Sequence, residues 1–299
     1  MLISTTSLNA IRVGFSAAYK RGLDQAADDW QRLATVVPSS TKQNVYGWLG
    51  KIPGMSEWVG ERTIHGLAEH DYAIKNLPFE LTVAVDRDDI EDDNLGVYDP
   101  MFVEMGESTA AHPGQLVYGA LKDGISTACY DGQNFFDTEH PVLNKDGVPQ
   151  LVSNYQTGSG PMWFLLATKR SIKPIIFQER KKPQFVALDN PNDQNVFRKK
   201  EFLYGTDARH NVGYGFWQMA FASQATLNAE NYAAARAAIM SMTGDYGRPL
   251  GLMPDLLVVA PSQESAARKL LNSEYGAGGE TNEWKGTADL HCSPWLAAA

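Results

Sequence analysis

The chain has 299 residues, of which 43% are hydrophobic and 20% are charged, so it can bury a substantial core and is not a disordered protein. Its formal net charge of −9 argues against a nucleic-acid-reading domain with a basic face, and its two distant cysteines argue against a disulfide-stapled secreted domain. The first residues lack the pattern of a signal peptide, and no apolar run approaches the length of a membrane span. We therefore expect a protein that is made in the cytoplasm and is used there or leaves inside a particle.

The first predicted element is an amphipathic helix over residues 7 to 21, because apolar residues recur there at helical spacing. Its predicted buried stripe is Leu8, Ile11, Phe15 and Ala18. Pro38 and the two serines that follow it break the chain after this region.

Residues 42 to 85 predict an extended, hairpin-like excursion, because short β-rich pieces alternate with glycine and proline. The segment is unusually apolar for a loop, with Trp48, Leu49, Ile52, Met55 and Trp58. Such a surface needs an apolar partner. The partner is either the body of the same molecule or a neighbouring one, and the pattern alone favours neither.

The acidic run over residues 86 to 93 is either a calcium loop or a solvated acidic turn, and it lacks the central glycine of an EF-hand. A strong helix start follows, with Asp99 as the N-cap and Pro100 at the first helical position. Pro113 lies inside the helix and predicts one long bent helix or two helices in tandem. The predicted buried stripe is Met101, Phe102, Met105, Thr109, Leu116, Val117, Ala120 and Leu121.

The rest of the chain predicts a mixed, loop-rich region with short strands at residues 163–167, 175–178 and 202–204. A second helix is expected near Asn228, with Tyr232, Ile239 and Met240 on one side. Later come a buried strand at residues 256–259, a short helix opened by Pro261, and a final strand at residues 288–292.

A search for chemistry finds one cluster that resembles a metal site, formed by Asp137, Glu139 and His140. A catalytic zinc site needs three protein ligands and an open position, and no second cluster accompanies this one. His140 is therefore either a ligand or a hydrogen-bonded loop histidine. The phosphate-binding loop G-x-x-x-x-G-K-[ST], the motif H-E-x-x-H and the nucleophile elbow G-x-S-x-G are all absent. We predict no catalytic residue, no cofactor and no metal.

Two basic triplets occur, at residues 180–182 and 198–200. They are either DNA contacts or, in an acidic protein, solvated faces and partners for salt bridges between subunits.

Several segments resemble the major head proteins of Mu-like phages: YGWLGKIPGMSEWVGER, NLPFELTVAVDRDDIEDDNLGVYDPMFVEMG, CYDGQNFFDTEHP and KKEFLYGTDARHNVGYGFWQMAFAS. The stretch from LNAENYAAARAAIM to PSQESAARKLL resembles capsid proteins of tailed phages more widely. Together these segments are spread from residue 46 to residue 271 in family order, which is more specific than any single motif.

The resemblance implies an α+β chain with the HK97-like capsid fold. The implied parts are an N-terminal arm (1–41), an extended E-loop hairpin (42–85), a peripheral domain with a long spine helix (86–128), an axial domain (129–272) and a C-terminal return to the peripheral domain (273–299). The predicted contacts with neighbouring subunits in the E-loop are Trp48, Leu49, Ile52, Met55, Trp58 and Arg62. The residues that mark the predicted spine helix are Asp99, Pro100, Phe102, Met105 and Pro113.

The resemblance also implies a function, the major capsid protein of a tailed bacteriophage. Its copies would assemble as hexamers and pentamers into an icosahedral procapsid, which then expands around double-stranded DNA held without sequence-specific contacts. The implied partners are a scaffold, a maturation protease, a portal and a decoration protein, with no membrane. The implied location is the virion, after assembly in the cytoplasm of the bacterial host. Two alternatives stay open: an encapsulin-like compartment shell, and a metal-dependent hydrolase centred on Asp137 and His140.

Overall fold

The computed structural model describes residues 3–26, 29–47, 49, 72–276 and 278–297. Within these residues the helices are α1 (Thr5–Gln25), α2 (Arg87–Glu91), α3 (Asp99–Asp123), α4 (Gln194–Lys199), α5 (Ala229–Met240) and α6 (Glu264–Asn272). The first seven strands are β1 (Ala34–Pro38), β2 (Gln43–Val45), β3 (Ala73–Lys75), β4 (Leu77–Asp86), β5 (His140–Leu143), β6 (Pro149–Val152) and β7 (Tyr155–Gln156). The others are β8 (Trp163–Leu166), β9 (Ile175–Leu188), β10 (Glu201–Tyr214), β11 (Ala220–Ser223), β12 (Thr243–Gly244), β13 (Arg248–Pro249), β14 (Leu256–Val259) and β15 (Asp289–Cys292).

Two larger sheets organise the chain. A four-stranded sheet has the order β1-β9-β10-β4, parallel between β1 and β9 and antiparallel elsewhere. A five-stranded sheet has the order β15-β14-β8-β11-β7. The remaining strands pair as β2 with β3, β5 with β6, and β12 with β13. The sequence predicted only the first residues of β9 and the early part of β10. The rest of β9 alternates partly buried and exposed positions with charged residues, and the rest of β10 is buried or partly buried but carries polar residues and glycine.

The buried side chains form two cores. The large core surrounds the five-stranded sheet and includes the second half of α3. The small core lies between α1, the first half of α3 and the far end of the four-stranded sheet. Its buried residues are Leu8, Ile11, Phe15, Ala18, Tyr19, Val85, Ile90, Phe102, Met105, Val196, Phe202 and Tyr204. The helix α3 and the strands β9 and β10 run through both cores and connect them.

The first helix confirms its prediction and extends it at both ends. Ser4 is its N-cap, and the hydroxyl of Ser4 accepts a hydrogen bond from the backbone N–H of Ser7 at 3.2 Å. The helix packs so closely on α3 that a Cβ built on Gly106 would lie 2.1 Å from the carbonyl oxygen of Tyr19. The two backbones therefore meet at a position where only glycine fits.

The helix α3 is continuous through Pro113, so one long helix forms and not two in tandem. Two details of its prediction are wrong. Asp99 is the first helical residue and not the N-cap, which is Tyr98; the Asp99 carboxylate instead pairs with the Arg21 guanidinium at 2.7 Å. Met101 is 47% exposed, because the first turn of the helix presents it to solvent beside the buried Phe102.

The other predicted elements are present, with smaller corrections. The acidic run contains the short helix α2, capped by the Asp86 side chain, which accepts from the Asp88 N–H at 2.7 Å. Met240 was placed on one side of α5 with Tyr232 and Ile239, but it is exposed while they are buried, because it ends the helix. The strand β14 is fully buried as predicted. Among the helices of the described chain, none is long and apolar enough to cross a membrane.

Candidate intersubunit contact sites

The base of the predicted E-loop is well defined, and we call it the hairpin base: β2, β3, residues 39–42 and Asn76. The strands β2 and β3 pair with each other and belong to neither larger sheet. Residues 39–42 connect β1 to β2, and Asn76 alone connects β3 to β4. The hairpin therefore joins the body through two short connections in the described chain.

Buried side chains tie these connections to the four-stranded sheet. Gln178 of β9 is fully buried, and its amide nitrogen donates to the Ile74 carbonyl at 2.9 Å and to Asn76 Oδ1 at 2.8 Å. Its amide oxygen accepts from the Tyr46 hydroxyl at 2.8 Å. The amide nitrogen of Asn76 in turn donates to Ser39 Oγ at 2.8 Å and to the Thr41 carbonyl at 2.9 Å.

A second anchor lies beside this one, at Tyr72 just before β3. The hydroxyl of Tyr72 accepts from the backbone N–H of Tyr214 at 2.7 Å. Burial raises the pKa of Tyr72 to about 12, so its hydroxyl stays protonated. Asn211 also reaches the hairpin base, donating to the Lys75 carbonyl at 2.8 Å.

The predicted contact residues of the E-loop fall mostly outside the described residues: Trp48, Ile52, Met55, Trp58 and Arg62. Leu49 is the exception, and its prediction as an intersubunit contact is corrected. Its side chain is fully buried in the large core of its own subunit, so it presents no surface to a neighbour.

The predicted spine residues serve the interior of their own subunit. Phe102 and Met105 are buried in the small core, where the Phe102 ring stacks on Phe15 at a centroid distance of 4.1 Å. Pro100 lies in the first turn of α3, where its missing N–H removes no helical hydrogen bond.

Pro113 lies beside a contact between two histidines, which we call the histidine junction: His112, His210 and Phe79. His112 Nδ1 lies 3.0 Å from His210 Nε2, and the Phe79 ring packs against both imidazoles. A cavity of about 160 Å³ opens here between α3, β4 and β10. Burial, with added repulsion from His112, lowers the pKa of His210 to about 4.

The metal-like cluster proposed from the sequence is not formed by Asp137 and His140. The Asp137 carboxylate instead accepts from the backbone N–H of Thr138 at 2.7 Å. His140 is fully buried, with Nδ1 2.7 Å from Asp131 Oδ2 and its ring stacked on Trp217 at 3.9 Å.

Cys129 joins Asp131 and His140 in the one group of described residues with suitable ligand spacing for a metal. Its thiol donates to Asp131 Oδ1 at 3.1 Å, and burial raises the pKa of this thiol, which disfavours the thiolate that a metal needs. The Asn154 amide nitrogen donates to two carbonyls, so its oxygen faces His140 and lies 3.2 Å from Nε2. The geometry therefore favours a hydrogen-bonded histidine over a metal ligand, and His140 lies at the start of β5 and not in a loop.

Comparisons with known proteins decide the family. The family model described as Mu-like prophage major head subunit gpT matches residues 8–296 of the chain. The major capsid protein of Escherichia phage Mu is 45% identical over 305 aligned positions, which cover 99% of this chain and 100% of the Mu protein. The chain belongs to the Mu-like major head subunit family.

Solved structures agree with this assignment. A chain of the procapsid of bacteriophage JBD30 matches with a TM-score of 0.86 and 41% identity, covering 98% of this head subunit and 100% of that chain. The JBD30 capsid decorated with minor capsid protein trimers contains a chain that matches with a TM-score of 0.79 and 33% identity, over 92% and 93% of the two chains. The HK97-like capsid fold and the function of a major capsid protein, both expected from the sequence, are confirmed. The family is structural, so the head subunit is not an enzyme.

One exposed surface of the head subunit was not recognised in the sequence. The tip of the β9–β10 hairpin carries α4, where Phe197 is 89% exposed. Val186 and Leu188 are also exposed near the end of β9. The run NVFRKK gives no signal for this, because two adjacent apolar residues beside charged ones do not show which of them is buried and which is exposed.

The two basic triplets each contribute one lysine to an ion pair within the subunit. Lys181 pairs with Asp207, and Lys200 pairs with Asp88 at 2.6 Å. Both pairs are at least one-third exposed and add little to stability. The remaining cations of both triplets are exposed.

Proposed function

We propose that copies of this head subunit assemble as hexamers and pentamers into an icosahedral procapsid, which expands into the mature shell around double-stranded DNA. The observation that carries the proposal is the full-length similarity to the JBD30 procapsid chain. A net charge of −9 suits a container that encloses DNA without binding it tightly.

The proposed division of labour follows the implied domains. Residues 1–41 form the N-terminal arm, 42–85 the E-loop, 86–128 the peripheral domain with the spine helix, 129–272 the axial domain, and 273–299 the return to the peripheral domain. The presence of two separate cores supports a body with two parts, which α3 and the β9–β10 pair connect.

We infer two kinds of surface for contacts between copies. The first is the E-loop beyond the hairpin base, with Trp48, Ile52, Met55, Trp58 and Arg62 as the contact residues. The second is the β9–β10 tip, where an exposed phenylalanine is the type of residue that anchors protein interfaces. Many such contacts, each modest, sum to a stable closed shell.

The proposed partners are a scaffold, a maturation protease, a portal and a decoration protein, and assembly takes place in the cytoplasm of the bacterial host. The decoration of the JBD30 capsid with minor capsid protein trimers supports the last of these partners.

Electron microscopy of the purified protein, expressed with and without the scaffold from the same phage, tests the proposal. We expect closed shells that form efficiently only with the scaffold. Nuclease-protected DNA in particles from infected cells would separate a phage head from a compartment loaded with protein cargo. A protein that stays monomeric in every condition would overturn the proposal.

A further inference from the structure

The connection between the hairpin base and the body depends on side chains. The strands β2 and β3 hydrogen-bond to each other, and the backbone N–H of Asn76 donates across the two connections to the Lys42 carbonyl at 3.0 Å. One backbone bond joins the hairpin base to β9, from the Ser39 N–H to the Glu179 carbonyl at 2.8 Å, and the other bonds to β9 involve the amide of Gln178. The direction of the hairpin is thus set mainly by a few buried polar groups and not by a continuous sheet.

The amides of Gln178 and Asn76 have no freedom to turn. Both N–H bonds of the Gln178 amide are used, and its oxygen accepts from Tyr46. Both N–H bonds of the Asn76 amide are used as well, and its oxygen accepts from Gln178. Gln178 and Asn76 are also almost fully buried, so water cannot replace a bond that is lost.

The two amides hold both connections at once. Asn76 occupies one connection and binds Ser39 and Thr41 of the other. Gln178 of β9 then donates to Asn76 and so fixes both connections to the four-stranded sheet. A rotation of the hairpin against the body would break several of these bonds together.

We infer that Gln178 and Asn76 are positioning residues. They set the angle at which β2 and β3, and with them the E-loop, leave the subunit, and thereby the curvature of the shell. The inference rests on the proposed function, in which the hairpin contacts neighbouring copies. Contacts between identical subunits close into a shell of one size only if the angles at these contacts stay within a narrow range. Loss of these side-chain bonds should therefore leave the subunit folded but broaden the distribution of shell diameters.

The test uses Gln178→Met and Asn76→Ala, with Asn282→Ala as the matched control. Asn282 lies in the loop after α6, and its amide nitrogen donates to the Leu270 and Ser273 carbonyls at 2.9 Å. Its replacement removes similar bonds without touching the hairpin base. Ser39→Ala, which removes a single acceptor of Asn76, serves as a milder variant if the others fail to fold.

Two measurements are made on each protein. Hydrogen exchange of the unassembled subunit follows the amides of Tyr46 and Asn76, which bond across the hairpin base to the Tyr72 and Lys42 carbonyls. We expect exchange about tenfold faster in the hairpin-base variants than in wild type, and unchanged in the control. Electron microscopy of shells formed with the scaffold then measures the distribution of diameters.

We expect several diameters and open fragments from the hairpin-base variants, and a single diameter from wild type and from Asn282→Ala. Variants that give the wild-type diameter while the wild type assembles would overturn the positioning role and leave the proposed function standing. A wild-type protein that never assembles with its scaffold would overturn the proposed function itself.

Discussion

The two halves of the spine helix α3 are held in place by different kinds of contact. Its first half meets α1 backbone to backbone at Gly22 and Gly106, and its second half is buried in the large core through side chains such as Tyr118. Between the halves lies the histidine junction, where Pro113 cannot donate to the carbonyl of Thr109 and a cavity adjoins the helix.

The strand that faces this point is irregular too. The pairing of β10 with β9 shifts register between Asp207 and His210, which marks a β-bulge. The helix and the sheet are therefore both least regular at the same level of the molecule. We therefore expect bending of the subunit to cost least at the histidine junction, between two ends that are more tightly packed.

The largest effect is expected from Gly106→Ala, which disrupts the close contact between α1 and the first half of α3. The new Cβ would lie 2.1 Å from the Tyr19 carbonyl oxygen, so α1 must move away, and we expect a loss of about 3 kcal/mol in the free energy of unfolding. Urea denaturation of the unassembled subunit measures it. Gly119→Ala on the same helix is the control: nothing lies within 4 Å of its Cβ, and it should stabilise slightly. Equal effects of the two changes would contradict the close backbone contact.

A change of pH tests the histidine junction. His210 has a folded-state pKa of about 4 and an ordinary value of 6.5, so between these values the unfolded chain binds a proton that the folded chain excludes. Stability contributed by the neutral imidazole is present above pH 6.5 and is lost as the pH falls, by about 2 kcal/mol at pH 4.5. His210→Gln should flatten this dependence in denaturation curves at several pH values. Parallel curves for wild type and variant would show that His210 does not titrate in this way.

Pro113→Ala restores the missing backbone N–H in the middle of α3 and so tests whether the proline makes this region easier to bend. We expect a gain of about 1 kcal/mol in the free energy of unfolding, because alanine completes the helical hydrogen bond to Thr109. A stiffer helix should also slow the expansion of procapsids, measured by electron microscopy over time. Unchanged expansion would remove the support for Pro113 as part of the bending region.

The smallest effect on subunit stability is expected from Phe197→Ser at the exposed tip. The free energy of unfolding should change by less than about 0.5 kcal/mol, because the side chain is 89% exposed. The yield of closed shells should nevertheless fall, while Phe197→Leu, which keeps an apolar side chain, should retain more of it. A normal yield from Phe197→Ser would exclude the tip as a contact surface.

Elements with a regular apolar pattern were predicted correctly from the sequence, whereas contacts between distant residues were not. The helices α1, α3 and α5 and the strand β14 were predicted because a periodic pattern reports which face of an element is buried. Errors fell at the ends of elements, at Asp99, Met101 and Met240, where the pattern no longer constrains the side chain.

The candidate site was less predictable than the fold. A buried glutamine in a strand such as Gln178 has no distinctive sequence pattern, and its partners lie 102 and 132 positions away. The apolar loop pattern correctly marked Leu49 as a residue that needs a partner, but the partner is its own large core. The pairing of His140 with Asp131, rather than with the nearer Asp137, likewise follows from how the loop folds back.

The family, the order of the main elements and the buried faces of the helices could all be predicted from the sequence, since these depend on residue types at short and regular spacing. The folded structure was needed to show that α1 and α3 touch through glycines, that His112 meets His210, and that two amides hold the hairpin base. Each of these contacts joins residues far apart in the chain, and no local pattern encodes which distant groups will be brought within hydrogen-bonding distance.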